Sequence, residues 1–314
     1  MRYPFPILMV LLFSFSCEKV VYPDLGTSRK TLVIDAFIDN QPDTQYIYLS
    51  YTQGFYDNSA VQMERAELVS VSDISDESQE PYKFDELEAG VYGWIPGDGI
   101  DSIGIVGHQY LLTVEANGYT YTAITTLRPT TPIDSLLFNY YPDEGVVEEY
   151  YEGEFFANDL VGTGNVYWAK TFLNGIFFND PTYIVMIIDG SFSESDQDGI
   201  LFIPPVRTSI TPFEDGADDE FGWGFKIGDS IALELHGITS ATRYFLKDIA
   251  AQTDRSGGIA ELFSVPLTNL STNIESPSVE HKAIGFFSFS SVSTISKVLT
   301  DEAAKESRER YFRN

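Results

Sequence analysis

The sequence predicts a mainly β protein: a β-sandwich followed by a second β-rich unit with one helix. Three observations predict it. Short runs rich in Val, Ile, Thr and Tyr recur along the chain, divided by turn residues. Asn117-Gly118 joins two such runs and supplies the positive φ that a tight hairpin needs. Only the stretch after Thr239 carries a sustained helical period of apolar residues.

In chain order, the first segment stands outside the fold. Arg2 followed by an apolar run from Phe5 to Phe15 has the layout of a secretory signal. A spanning helix needs about 20 apolar residues, and Pro4 and Pro6 would disturb the start of one. Small residues then precede Cys17, the only cysteine, which as a lone cysteine in an exported chain has no intramolecular disulfide partner. The expectation is a signal peptide over 1–16, cleavage before Cys17 and lipidation of Cys17. Its acyl chains, at about 0.8 kcal/mol per buried methylene, would hold the protein on a membrane. Residues 17–30 lack a period and read as a tether.

Strands are expected near 31–38, 44–52, 66–74, 90–94, 108–116 and 119–127. Their number and spacing suggest an immunoglobulin- or transthyretin-like sandwich over 31–130. Arg128 to Pro132 holds two prolines and cannot continue a central strand, which places a boundary there. The second β-rich domain, 131–300, has strand candidates at 133–140, 165–173, 182–188, 199–203, 229–238 and 284–298. In 231–235 the alternation turns Ile231, Leu233 and Leu235 to the core and leaves His236 on the polar face. Thr239-Ser240 caps the helix, Tyr244, Phe245, Ile249 and Ala250 share its apolar face, and Ser256-Gly257-Gly258 ends it. Residues 301–314 show no apolar stripe and read as a polar tail, frayed or weakly helical.

With 47 acidic against 19 basic side chains, the net charge is −28. Such a surface repels nucleic acid and anionic headgroups. Residues 141–225 hold 17 acids against only Lys170 and Arg207. That belt would attract cations or a basic partner, or serve as a solvated surface that keeps the chain monomeric.

Catalytic patterns are absent from the sequence. His108, His236 and His281 are far apart and lack the spacing of a zinc site, so solvated or capping roles are expected. No nucleophile elbow, phosphate loop or dinucleotide fingerprint occurs. Glu194, Asp196, Asp198 and Gly199 imitate the start of a calcium loop, but the closing Glu position falls on Pro205. A hydrated loop is expected there, an irregular calcium site in that stretch or at Asp215, Asp218, Asp219 and Glu220 being the alternative. Neither a metal nor a cofactor is therefore expected. Tyr140, Tyr141, Tyr150, Tyr151, Phe155 and Phe156 alternate with acids and form the candidate ligand- or partner-facing rim, strand cores and edges being the alternative use of such rings.

The chain resembles a Bacteroidota lipoprotein family catalogued as domain of unknown function 4249. The resemblance rests on Cys17-Glu18-Lys19, Leu32-Val33-Ile34, Gly90-Val91-Tyr92, Thr131-Pro132-Ile133-Asp134-Ser135, Gly228-Asp229-Ser230, Thr272-Asn273-Ile274 and Ala283-Ile284-Gly285-Phe286-Phe287. It implies an outer-membrane lipoprotein, often encoded beside TonB-dependent receptors, and it implies no active site. The expected function is thus a non-enzymatic lipoprotein, accessory to a TonB-dependent transporter through substrate capture or receptor stability. An autonomous glycan- or peptide-binding lipoprotein is the alternative.

Overall fold

The structure is a computed structural model that describes residues 30–54, 57–97, 102–142, 149–193, 198–212, 223–253 and 270–313. Cys17, the signal peptide, the tether up to residue 29 and Ser256-Gly257-Gly258 lie outside the described residues.

The N-terminal strands are β1 (Leu32–Asp39), β2 (Gln45–Tyr51), β3 (Leu68–Asp73), β4 (Tyr82–Lys83), β5 (Asp85–Glu88), β6 (Val91–Trp94), β7 (Gln109–Ala116) and β8 (Tyr119–Thr126). They form two sheets, one running β4-β3-β7-β8 and the other containing β1-β2-β6-β5. Period-two alternation turns Leu32, Ile34, Ala36 and Ile38 inward, where they meet Leu49, Val71, Tyr110 and Leu112 in one core. The result is a β-sandwich. Asn117 and Gly118 take φ of 56° and 74° and pair Ala116 with Tyr119, as the sequence predicts.

The chain continues through β9 (Ile133–Tyr141), β10 (Tyr150–Ala157), β11 (Val166–Leu173), β12 (Ile176–Phe177), β13 (Val185–Ile188), the short α1 (Pro204–Arg207), β14 (Ser230–Gly237), α2 (Ser240–Thr253), β15 (Ala283–Val298) and α3 (Asp301–Tyr311). The β9-β10 hairpin, α1 and α3 cover a second core containing Ile231, Leu233 and Leu235, the odd-numbered positions expected there.

One strand joins the two cores. The first half of β15 pairs in parallel with β1, from Leu32 beside Ala283 to Asp39 beside Ser290. Its second half pairs antiparallel with β14, from Gly237 beside Ser291 to Ser230 beside Val298. A nine-stranded sheet therefore runs β12-β11-β14-β15-β1-β2-β6-β5, with β13 alongside β11. Phe287 and Phe289, distant in sequence from the N-terminal strands, complete the sandwich core. Gly285 makes the approach feasible: its φ is +116°, and a Cβ there would overlap the backbone oxygen of Ile34.

Several expectations need correction. The strands β4, β5, β10 and β12 were not expected, and 199–203 contributes only a single bridge, Leu201 with Asn158. Thr239 caps α2 through its hydroxyl, which accepts from the Thr242 amide at 3.1 Å. The buried face is Thr242, Phe245 and Leu246, whereas Tyr244 is 54% exposed with Arg243 over its ring. The C-terminal tail is a formed helix. Thr300 caps it, Asp301 and Glu302 sit in its first turn and Arg308 and Arg310 in its last, all favourable to the helix dipole. Ala304 and Ser307 are buried, and the Arg310 guanidinium donates to the Phe138 carbonyl at 2.7 Å. Small residues and arginine stems dock this helix, so it shows no apolar stripe.

Candidate functional site

The site builds on the outer face of the continuous sheet. Alternation that buries Ile34, Ala36 and Ile38 turns Val33, Asp35, Phe37 and Asp39 to the opposite side of β1. On β15 the parallel register sets Phe286 beside Asp35 and Ser288 beside Phe37. α2 lies across this face, its Thr242 hydroxyl 3.1 Å from that of Ser288. Phe245 stacks on Phe286 at 4.5 Å between ring centres, and Phe37 lies 5.9 Å from Phe245 and meets the edge of Trp168 at 6.2 Å.

Between α2 and these strands lies a groove of about 810 Å³, walled mainly by those four aromatic side chains with Ile249 and Ile284. The size is that of a small-molecule site. Among the described residues two charged side chains line it, Asp35 and Lys282. Asp35 is exposed by area, yet burial raises its carboxyl pKa and no nearby group opposes that. A side chain that is both accessible and poorly hydrated sits in a concavity. Three hydroxyls also line the groove, Thr31, Thr52 and Ser271. Ser271 donates to Asp248, and none of the three has an imidazole partner.

Beyond Phe37 the same face carries a buried polar strip. His236 is 1% exposed, against its expected solvated or capping role. Its Nε2 lies 3.1 Å from the Glu234 carboxylate, which only accepts, and its Nδ1 lies 2.9 Å from the Ser290 hydroxyl. Burial and the neighbouring Lys170 charge lower the His236 pKa, outweighing the Glu234 contribution. A neutral imidazole donating to Glu234 and accepting from Ser290 satisfies both contacts. Lys170, its own pKa lowered by burial, stands over the Trp168 ring at 4.3 Å. The strip thus anchors one wall of the groove. His108 pairs with Asp73 at 2.7 Å in the other sheet, and His281 stacks on Tyr119.

The rim predicted from sequence lies across the sheet from the groove, on the β9-β10 hairpin, and the structure divides it. Tyr151 and Phe155 are 3% and 0% exposed and belong to the second core, which corrects their assignment to a solvent-facing rim. Strand alternation explains this, since the pattern of β10 buries Tyr151, Gly153, Phe155 and Ala157. Tyr141 and Tyr150 stack at 5.1 Å with Trp223 nearby, and Tyr140 packs against Tyr151 and Tyr311. Phe156 lies under the Arg207 guanidinium, which donates to Glu154 at 2.9 Å and 2.8 Å.

Among the described residues, no group of three or more His, Cys, Asp or Glu side chains is placed to hold a metal ion. The calcium-loop residues 194–197 and the acids within 213–222 lie outside the described residues, while Asp198 accepts from the Gly162 amide at 2.7 Å.

Sequence reasoning missed the groove because six separated stretches of the chain build it, and no one of them carries a motif. Residues 18–296 match the family described as Domain of unknown function (DUF4249). No curated protein and no solved structure matches the chain.

Proposed function

The chain belongs to that family, and from the site's geometry we propose that it is a non-enzymatic lipoprotein of the outer membrane, accessory to a TonB-dependent transporter. Its part is substrate capture. The groove between α2 and the sheet carries this reading: a preformed, aromatic-walled concavity on a rigid sheet suits holding a ligand. The groove hydroxyls have no imidazole partner among the described residues, which supports binding over turnover.

Support for a protein partner comes from the opposite side of the sheet. Tyr311 and Phe312 are 46% and 75% exposed at the end of α3, next to Arg310 and the stacked Tyr141 and Tyr150. Aromatic and arginine side chains are enriched at protein interfaces. Ligand and transporter would then use separate surfaces, and both could engage at once. The lipid on Cys17 keeps the body at the membrane where the transporter resides.

A pull-down of the tagged lipoprotein from its own outer membrane in mild detergent tests the partnership. Co-purification of a stoichiometric TonB-dependent barrel, weakened by Phe312→Ala, is the expected result. Recovery of the protein alone would replace this reading with an autonomous glycan- or peptide-binding lipoprotein.

A further inference from the structure

We propose that the α2 groove takes an organic cation, an apolar or aromatic body carrying an ammonium group, with Asp35 as its counter-ion. The inference rests on the groove being a ligand site and adds the chemical class of the ligand.

Three observations carry it. First, Asp35 has no hydrogen-bond or ion-pair partner among the described residues, although it lines the groove in a poorly hydrated setting. A surface acid is ordinarily well hydrated, and a buried acid that serves the fold ordinarily has donors around it. Asp35 has neither. It is accessible, desolvated and uncompensated, which leaves a protonated amine from outside as the partner that would repay its burial.

Second, the neighbours of Asp35 are aromatic. The register sets Tyr48 beside it on β2 and Phe286 beside it on β15, and Phe37 follows two residues along β1 on the same face. Rings in those places favour a cation through their quadrupoles and cover an attached apolar group through their area. They offer nothing to an anion.

Third, Lys282, the one cationic side chain lining the groove among the described residues, forms no ion pair with Asp35. It lies just before β15, where Ala283 pairs with Leu32, whereas Asp35 pairs with Phe286 three positions further on. A ligand with an anionic group at its far end would find Lys282 there, while its ammonium would have Asp35 as counter-ion.

Calorimetric titration of the full chain in mild detergent tests the inference with three probes of one shape: tryptamine, its neutral alcohol tryptophol, and the anion indole-3-propionate. Tryptamine is expected to bind at least tenfold tighter than tryptophol, and indole-3-propionate weaker still. Asp35→Asn should abolish the preference and Asp35→Glu should retain it, with unchanged circular dichroism in both. Equal binding of tryptamine and tryptophol, lost together when Ile284→Trp fills the groove, would overturn the charge inference and leave the groove as a ligand site. A tryptamine preference that survives Ile284→Trp would place binding elsewhere and overturn the groove itself. Absence of tryptamine binding would also overturn the inference.

Discussion

Asp73 illustrates how single residues hold the sandwich. Burial opposes its ionisation, but hydrogen bonds from His108, Ser75 and Asp76 outweigh this and hold its carboxyl below the usual value of 3.8. A depressed pKa contributes stability that is present above the unfolded value and lost as pH falls through the folded one. Asp73→Asn should therefore cost about 2 kcal/mol in urea unfolding near neutral pH. The gap between wild type and variant should then shrink as the pH drops below 3.8. A gap that stays constant down to the acid limit would show that the charge is not the stabilising feature. His236 teaches the complementary lesson about what a sequence reveals. Its place on the polar face of β14 is legible, but its burial is not, because Trp168 and Ser290, which pack against it, come from segments far along the chain.

At the level of elements, local turn chemistry reads well and long-range pairing does not. Asn117-Gly118 announces its hairpin, and Asn174-Gly175, with φ of 52° and 83°, carries the same signal for the β11-β12 turn. That second signal is equally legible in the sequence. By contrast, the parallel pairing of β1 with β15 links residues some 250 positions apart, and nothing local in either strand specifies it. The helix face of α2 illustrates a smaller error. Two adjacent aromatics, Tyr244 and Phe245, compete for the core, and the tertiary contact of Phe245 with Phe286 decides the rotation. α3 reverses the lesson, because charges at its ends and a threonine cap specify a helix that hydrophobic period alone does not.

The importance of β15 gives a prediction at this scale. Gly285→Ala combines a strained φ with overlap against the Ile34 backbone and should destabilise the protein by on the order of 3 kcal/mol. Since β15 contributes to both cores, urea unfolding followed by tryptophan fluorescence should remain one transition shifted to lower denaturant. Two separated transitions in the variant would show that the cores fold independently of their shared strand.

For the whole molecule, the fold divides labour between two faces of one sheet. The outer face holds the groove with α2, and the inner face carries the hairpin and α3 with their exposed aromatics. No helix among the described residues is long and apolar enough to cross a membrane, and in the proposed function the lipid on Cys17 supplies the attachment. Cys17→Ser should accordingly move the protein from membrane to soluble fractions. Retention on the membrane would mean that the apolar leader persists as the anchor.

The measurement closest to the central claim is native mass spectrometry of the protein released gently from its own outer membrane, comparing wild type with Ile284→Trp. The account predicts a bound small-molecule mass on the wild-type chain that disappears when the groove is filled, with folding unchanged by circular dichroism. The same mass retained by both proteins would contradict the groove as the binding site.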